Sequence, residues 1–422
     1  RQFNSIGTFT YTDSANPGIT HTITVTATLW PKAHTEFAVT TFSARDSSTV
    51  RLGEASLNAD TLTVQESSSL YVDPVGNLKI NNFNALSNAD VFFFPAVDLY
   101  STLNQRAPSI YLHGSGTRVY WDYAGYLAGT FSGTSNIAVV SWVVGSGSVM
   151  YPGLTRVNTP IDVLTVDGTM AMSFNDVQER VPVIEFNVGG TCTTNHPLDL
   201  YILERLSASG SLTFDLDGHT AGTYPAPTII GETINDVKVH VSGSGHVKGG
   251  LLQLRAGKVD VSSGTLEFEA YQVESFVDDF DVAGTVIVYR QLRNKNQDLS
   301  SNAPVMTVRT GGTVILDKLG HDTSGHVWSG SQSSLLYFNV MNIAGTLRAG
   351  RLDFLAPGTT SLNVAGLLTY DPVSIAADSL FDAITVSGTM RVRRPVAFPD
   401  TASFTVSGYL VLDDDGHAVL PR

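Results

Sequence analysis

One phrase recurs along this chain: an apolar residue, a spacer, Val or Ile, a spacer, Gly, and then a second apolar alternation. Clear copies are Leu164-Thr-Val166-Asp-Gly168-Thr-Met170, Phe280-Asp-Val282-Ala-Gly284-Thr-Val286 and Met341-Asn-Ile343-Ala-Gly345-Thr-Leu347, followed by those around Gly366, Gly388 and Gly408. Uninterrupted copies hold their glycines at a nearly constant spacing, as from Gly345 to Gly366, Gly388 and Gly408. Wider gaps, Gly284 to Gly312 and Gly312 to Gly345, fit the same unit with loops added. A Gly-Ser-Gly form appears at Gly114, Gly145 and Gly243. The period is therefore about 21 residues, and a fixed period of this kind is the mark of a repeat architecture.

Within each copy the apolar positions alternate on both sides of the glycine, so each half reads as a short strand with one buried face. Glycine supplies the bend, since it has no side chain and tolerates positive φ. No single unit can bury its apolar face, but stacked units share one core. Leucine-rich repeats need a fixed Asn or Cys ladder, and propeller blades need about 40 residues with four strands. A sandwich predicts closely spaced turn signals without a repeated phrase. The remaining solution is an all-β solenoid, with coils of about 21 residues, each two or three short strands with turns, stacked in parallel about 4.8 Å apart.

These coils resemble the right-handed parallel β-helix proteins: the pectin-lyase-like group, and the Val-x-Gly-Thr-Leu coils of haemagglutinin-type adhesins and autotransporter passengers. The resemblance runs from about Ser48 to Leu412 and is strongest after Ile161. It concerns architecture, and it implies either an adhesive surface protein or a carbohydrate-active enzyme. Three segments are expected. Residues 1–47, with Thr-rich alternation such as Ile19 to Leu29, form an N-terminal β capping segment. Residues 48–160 form an irregular first part of the solenoid with loop insertions, with a side loop or short helix within Ala85 to Tyr126. Residues 161–422 form the regular solenoid, with a short helix possible over Leu198 to Leu206.

Composition narrows the function classes. With 39 acidic and 25 basic side chains the formal charge is −14, which excludes a generic nucleic-acid binder. Hydrophobic residues make up 42% against 15% charged, enough to bury a core and unlike a disordered chain. Cys192 is the single cysteine, so neither an intrachain disulfide nor a cysteine zinc site is available. The most apolar stretch, Ile137 to Tyr151, is broken by Gly and Ser and falls short of the roughly 20 residues that span a bilayer; no membrane insertion is expected. The start of the chain shows no charged-then-apolar leader, whether removed or never present.

Candidate sites fall into three groups. Tyr120, Trp121, Tyr123, Tyr126, Trp142 and Tyr151 are close in sequence and, one or two coils apart, close in space; exposed rings with polar neighbours would bind sugars or partners. Trp121 and Trp142 also sit in alternating apolar runs, where they would be core. Asp215 and Asp217, before Gly218-His219, and Asp413 and Asp415, before Gly416-His417, place paired carboxylates on one face beside a turn, a possible calcium site; an Asp-Gly turn closing a strand is the simpler reading. Asp278, Asp279 and Asp281 raise the prospect of a lyase or hydrolase acid pair, although alternation turns Asp279 and Asp281 outward and leaves them solvated. His240 and His246 lie on the outward register, and His321 and His326 in a loop beside Asp322.

The function expected is a non-enzymatic structural or adhesive solenoid rod of a cell surface, matrix or fibre. Its partners would be other chains, met through the coil ends or side face, as a homo-oligomer or filament, or a polysaccharide. No cofactor is expected apart from possible calcium. The alternative is a polysaccharide lyase, glycoside hydrolase or glycan-binding module on the same fold. The acid run Asp413 to Asp415 either shields the last coil from further strand pairing or precedes a docked chain.

Overall fold

The computed structural model describes residues 6–13, 16–26, 36–52, 56–72, 78–93, 99–100, 109–121, 135–137, 141–157, 160–173, 179–214, 228–231, 237–270, 276–289, 293–294, 304–316, 334–355, 361–372, 381–393, 396 and 401–412. Every regular element among the described residues is a β-strand. The strands stack as a right-handed parallel β-solenoid. Each coil gives one strand to a first parallel sheet, turns a corner, and gives a second strand to another. The alternation legible in the sequence is the cause. One strand face is apolar, and the coils above and below extend that face into a column.

The chain divides into two compact units, 1–202 with 210–217, and 203–209 with 218–422. In the first, Phe42, Leu62, Phe83, Ile110, Trp142, Leu164 and Phe186 occupy one register position of the first sheet. Val50, Leu70, Val91, Val119, Met150, Met170 and Cys192 do so in the second. All are buried, each contributing about 1.5–3 kcal/mol when large. In the second unit the first-sheet column runs from Leu206 through Val239, Val259, Phe280, Met306, Met341 and Leu362 to Ile384 and Phe404. Further short strands also pair in parallel between coils, as where Glu179 pairs with Leu198 and Arg293 with Leu335.

Ahead of the coils, Ile6–Asp13 pairs antiparallel with Asn16–Thr26, and Phe9 meets Phe42 in antiparallel pairing. Glu36–Ala44 also pairs in parallel with Ser56–Val64, so the first coil strand lies inside the segment read as a cap. The helix expected over Leu198 to Leu206 is instead two strands, Leu198–Leu200 and Arg205–Ala208. Leu198 and Leu200 are both buried, which is the two-residue period of a strand. Of the irregular stretch 85–126, the described parts are strands, including Asp90–Phe93, Ser109–His113 and Arg118–Trp121.

The periodic glycine has a different task from the one its bend suggested. Gly168, Gly190, Gly366, Gly388 and Gly408 do not have positive φ. Instead, consecutive corner amides reach down to one carbonyl of the coil below: Ala365 and Gly366 donate to Ile343 O at 2.9 and 2.7 Å. This draws the corners so close that a Cβ on Gly366 would overlap the carbonyl oxygen of Gly345. Among the described residues, positive φ occurs at the Gly-Ser-Gly corners, at Gly114, Gly116, Gly147 and Gly243, at Gly231 and Gly311, and at non-glycine pairs in the early coils, such as Glu66 and Ser67.

Candidate functional site

On the outer face of the second sheet, in the first unit, five successive coils place one residue each in register: Arg51, Tyr71, Phe92, Tyr120 and Tyr151. Each follows a buried core residue, Val50, Leu70, Val91, Val119 or Met150, so strand alternation turns it outward. The rings stack along the column. Tyr71 and Phe92 have centroids 4.7 Å apart, Phe92 and Tyr120 5.5 Å, and Tyr120 and Tyr151 5.2 Å, with interplanar angles of 17°, 4° and 12°. The Arg51 guanidinium lies 4.8 Å from the Tyr71 ring centroid and caps one end. Because neighbouring rings cover each other's faces, the column is half-buried and turns ring edges to solvent.

Beside the ladder, Asp90 and Arg118 are opposite each other in the same sheet and form a two-pronged ion pair, with Nε to Oδ1 at 2.8 Å and Nη2 to Oδ2 at 3.0 Å. This hydrogen bond and the charge of Asp90 raise the Arg118 pKa above its ordinary value.

A second concentration of polar side chains lies on the outer face of the first sheet in the second unit. Register places His240, Asp260, Asp281 and Thr307 in one column, and Lys238, Lys258 and Asp279 in the next. His240 Nδ1 is 3.1 Å from Asp260 Oδ2, and Lys258 Nζ is 3.0 Å from Asp279 Oδ2. Arg309, at the following corner, grips Asp281 with two donors, Nε to Oδ1 at 2.7 Å and Nη2 to Oδ2. That hydrogen bond holds the Asp281 carboxyl below the usual carboxylate range, although burial pushes the other way. Burial raises the Asp278 carboxyl. On the second sheet of this unit, Tyr289 donates to Glu267 at 3.3 Å, and His246 Nε2 lies 3.2 Å from Glu267 Oε1 without the alignment of a hydrogen bond.

Of the aromatic residues singled out from the sequence, Tyr120 and Tyr151 come together in the ladder. Trp142 does not join them: it is fully buried in the first-sheet column, and its indole N–H points at Met150 Sδ, 3.0 Å away. Its position between Ile110 and Leu164 makes it core, as its apolar alternation also allowed. Trp121 ends a strand in register with Phe93. Tyr123, Tyr126, Asp215, Asp217, Asp413 and Asp415 lie outside the described residues, as do His321, Asp322 and His326. Asp279 and Asp281 do face outward, but Asp281 is 8% exposed rather than solvated. Neighbouring coils crowd the outer face, so outward is not the same as wet.

Tyr71, Phe92 and Arg309 escaped the sequence reading. The early coils carry Ser48, Ser68, Ala89, Thr117 and Ser148 at the corner preceding each strand of the second sheet, in place of the periodic glycine. Counting three residues from each gives the whole ladder. Among the described residues no group of three or more His, Cys, Asp or Glu side chains could hold a metal ion. Compared with protein-family models, curated proteins and solved structures, the chain matched none.

Proposed function

We propose that this chain is a non-enzymatic structural or adhesive β-solenoid, an element of a cell surface, matrix or fibre that presents its outer faces to partner chains. The observation that carries the reading is the closure of outward side chains upon each other from coil to coil. Arg51 caps the aromatic column, Asp90 binds Arg118, Asp260 faces His240, Asp279 binds Lys258 and Asp281 binds Arg309. A general acid must give up a proton near the working pH, whereas Asp281 is held as a carboxylate by its arginine. Such ladders brace each coil against the next. The partner-binding part of the proposal is supported by the outward column of Tyr71, Phe92, Tyr120 and Tyr151, whose stacked rings stay partly exposed along successive coils, since aromatic groups of this kind suit contact surfaces.

The test has two arms. Incubation with polygalacturonate, alginate and neutral glucans, read by reducing ends and by ultraviolet absorbance of unsaturated products, should give no turnover. Sedimentation and electron microscopy across a concentration series should show assemblies of the chain. Turnover of any of these glycans would overturn the reading in favour of a lyase or hydrolase. Binding to a glycan without turnover or assembly would replace it with a glycan-binding module.

A further inference from the structure

Among the ring pairs of the ladder, one consists of two phenols in adjacent coils. Tyr120 and Tyr151 are register partners on neighbouring parallel strands, their ring centroids are 5.2 Å apart and their planes 12° from parallel. Both sit on the outer face and are partly exposed, within reach of a small oxidant. Tyr71, by contrast, is separated from Tyr120 by Phe92, which has no phenol to oxidise. The column thus contains a matched tyrosine pair and, two coils away, a tyrosine with no tyrosine beside it in the ladder.

We propose that Tyr120 and Tyr151 are a site of dityrosine formation, at which a one-electron oxidant staples the strand Arg118–Trp121 covalently to the strand Val149–Val157. Each phenol loses one electron to the oxidant and its hydroxyl proton to water, giving two phenoxyl radicals. The radicals join through a carbon–carbon bond between ring positions ortho to oxygen. The two ring hydrogens at those carbons then move to the oxygens and restore both phenols. Two phenols and two one-electron oxidant equivalents thus yield one biaryl and two released protons. The oxidant class is a photogenerated or peroxide-derived radical; with persulfate, both electrons end on sulfate. Stacking supplies the proximity that converts an encounter between two radicals into an intramolecular step. The staple closes a loop between residues 120 and 151, and so acts on the unfolded chain as a disulfide does.

The experiment irradiates dilute full-length protein with visible light, a ruthenium tris-bipyridyl sensitiser and persulfate. It reads dityrosine fluorescence, intact mass and cross-linked peptides from the monomer fraction. The expected product is a monomer lighter by two hydrogens, whose linked peptides contain Tyr120 and Tyr151. Tyr151→Phe and Tyr120→Phe, which keep the stacked ring, should each lose at least about tenfold of the monomer dityrosine signal, a loss that corresponds to disabling the coupling step. Tyr71→Phe should retain it. Dityrosine that persists in both single variants, that appears only between molecules, or that maps to other tyrosines would overturn the assignment. Peptide mapping of the unmutated protein decides the point even if a variant fails to fold.

Discussion

Gly388 lies over the carbonyl of Gly366 so closely that the oxygen occupies the place a Cβ on Gly388 would take, and the neighbouring carbonyl of Ala365 would also overlap it. Both obstacles are backbone, which cannot swing away as a side chain would. Gly388→Ala should therefore destabilise the second unit by about 1–3 kcal/mol, the usual cost of overfilling a packed site. Gly243 is a control of a different kind: it has open space around it but a φ of +59°. Gly243→Ala should cost about 1–2 kcal/mol through left-handed strain alone. Urea unfolding of both variants measures the two losses.

Phe92 stacks on Tyr71 on one side and Tyr120 on the other. Phe92→Ala interrupts the column and loses both contacts, each worth about 0.5–1.5 kcal/mol beyond buried area. A double-mutant cycle with Tyr120→Ala should show a coupling energy of that size, whereas the same cycle between Phe92 and Tyr151 should come out near zero.

Trp142 is among the largest fully buried side chains of the first unit. Trp142→Ala leaves a cavity that the backbone columns on either side cannot close, with an expected loss of about 3–5 kcal/mol. Loss of the indole hydrogen bond to sulfur is the smaller part, so Trp142→Phe should be markedly milder. Thermal unfolding of both variants measures the difference.

The Asp281 and Arg309 pair makes the second unit sensitive to acid. The folded-state pKa of Asp281 is depressed, so its stabilisation is present above the ordinary aspartate range near 4 and is lost as pH falls through the folded value. Asp281→Asn should lower stability at neutral pH and flatten its decline in acid. Arg309 is largely exposed, so added salt should reduce the difference between the two proteins. Urea titrations between neutral pH and about pH 3 test both the slope and the salt effect.

Cys192 is fully buried between Met170 and Leu212 in the second-sheet column, and burial pushes its thiol pKa up to about 12. A thiol so placed is a poor nucleophile. Its reaction with a disulfide reagent should be slow in native buffer and should rise with urea in step with the unfolding of the first unit.

The solenoid was legible before any coordinate: a glycine returning at a near-constant interval between two alternating runs admits few other solutions, and the inward columns from Leu164 and Ile384 follow from parity alone. Why the glycines are needed was not legible. Gly366 looks like a bend and is instead a point of contact between coils, because the constraint comes from the carbonyl of Gly345 in the coil below. The outer face was similarly hidden. Alternation shows that Tyr120 and Asp281 turn outward, but only stacking brings Tyr71, Phe92 and Tyr151 into one column and Arg309 onto Asp281, and the partner on the next coil, which decides whether an outward side chain is wet, paired or covered, is chosen by the tertiary register.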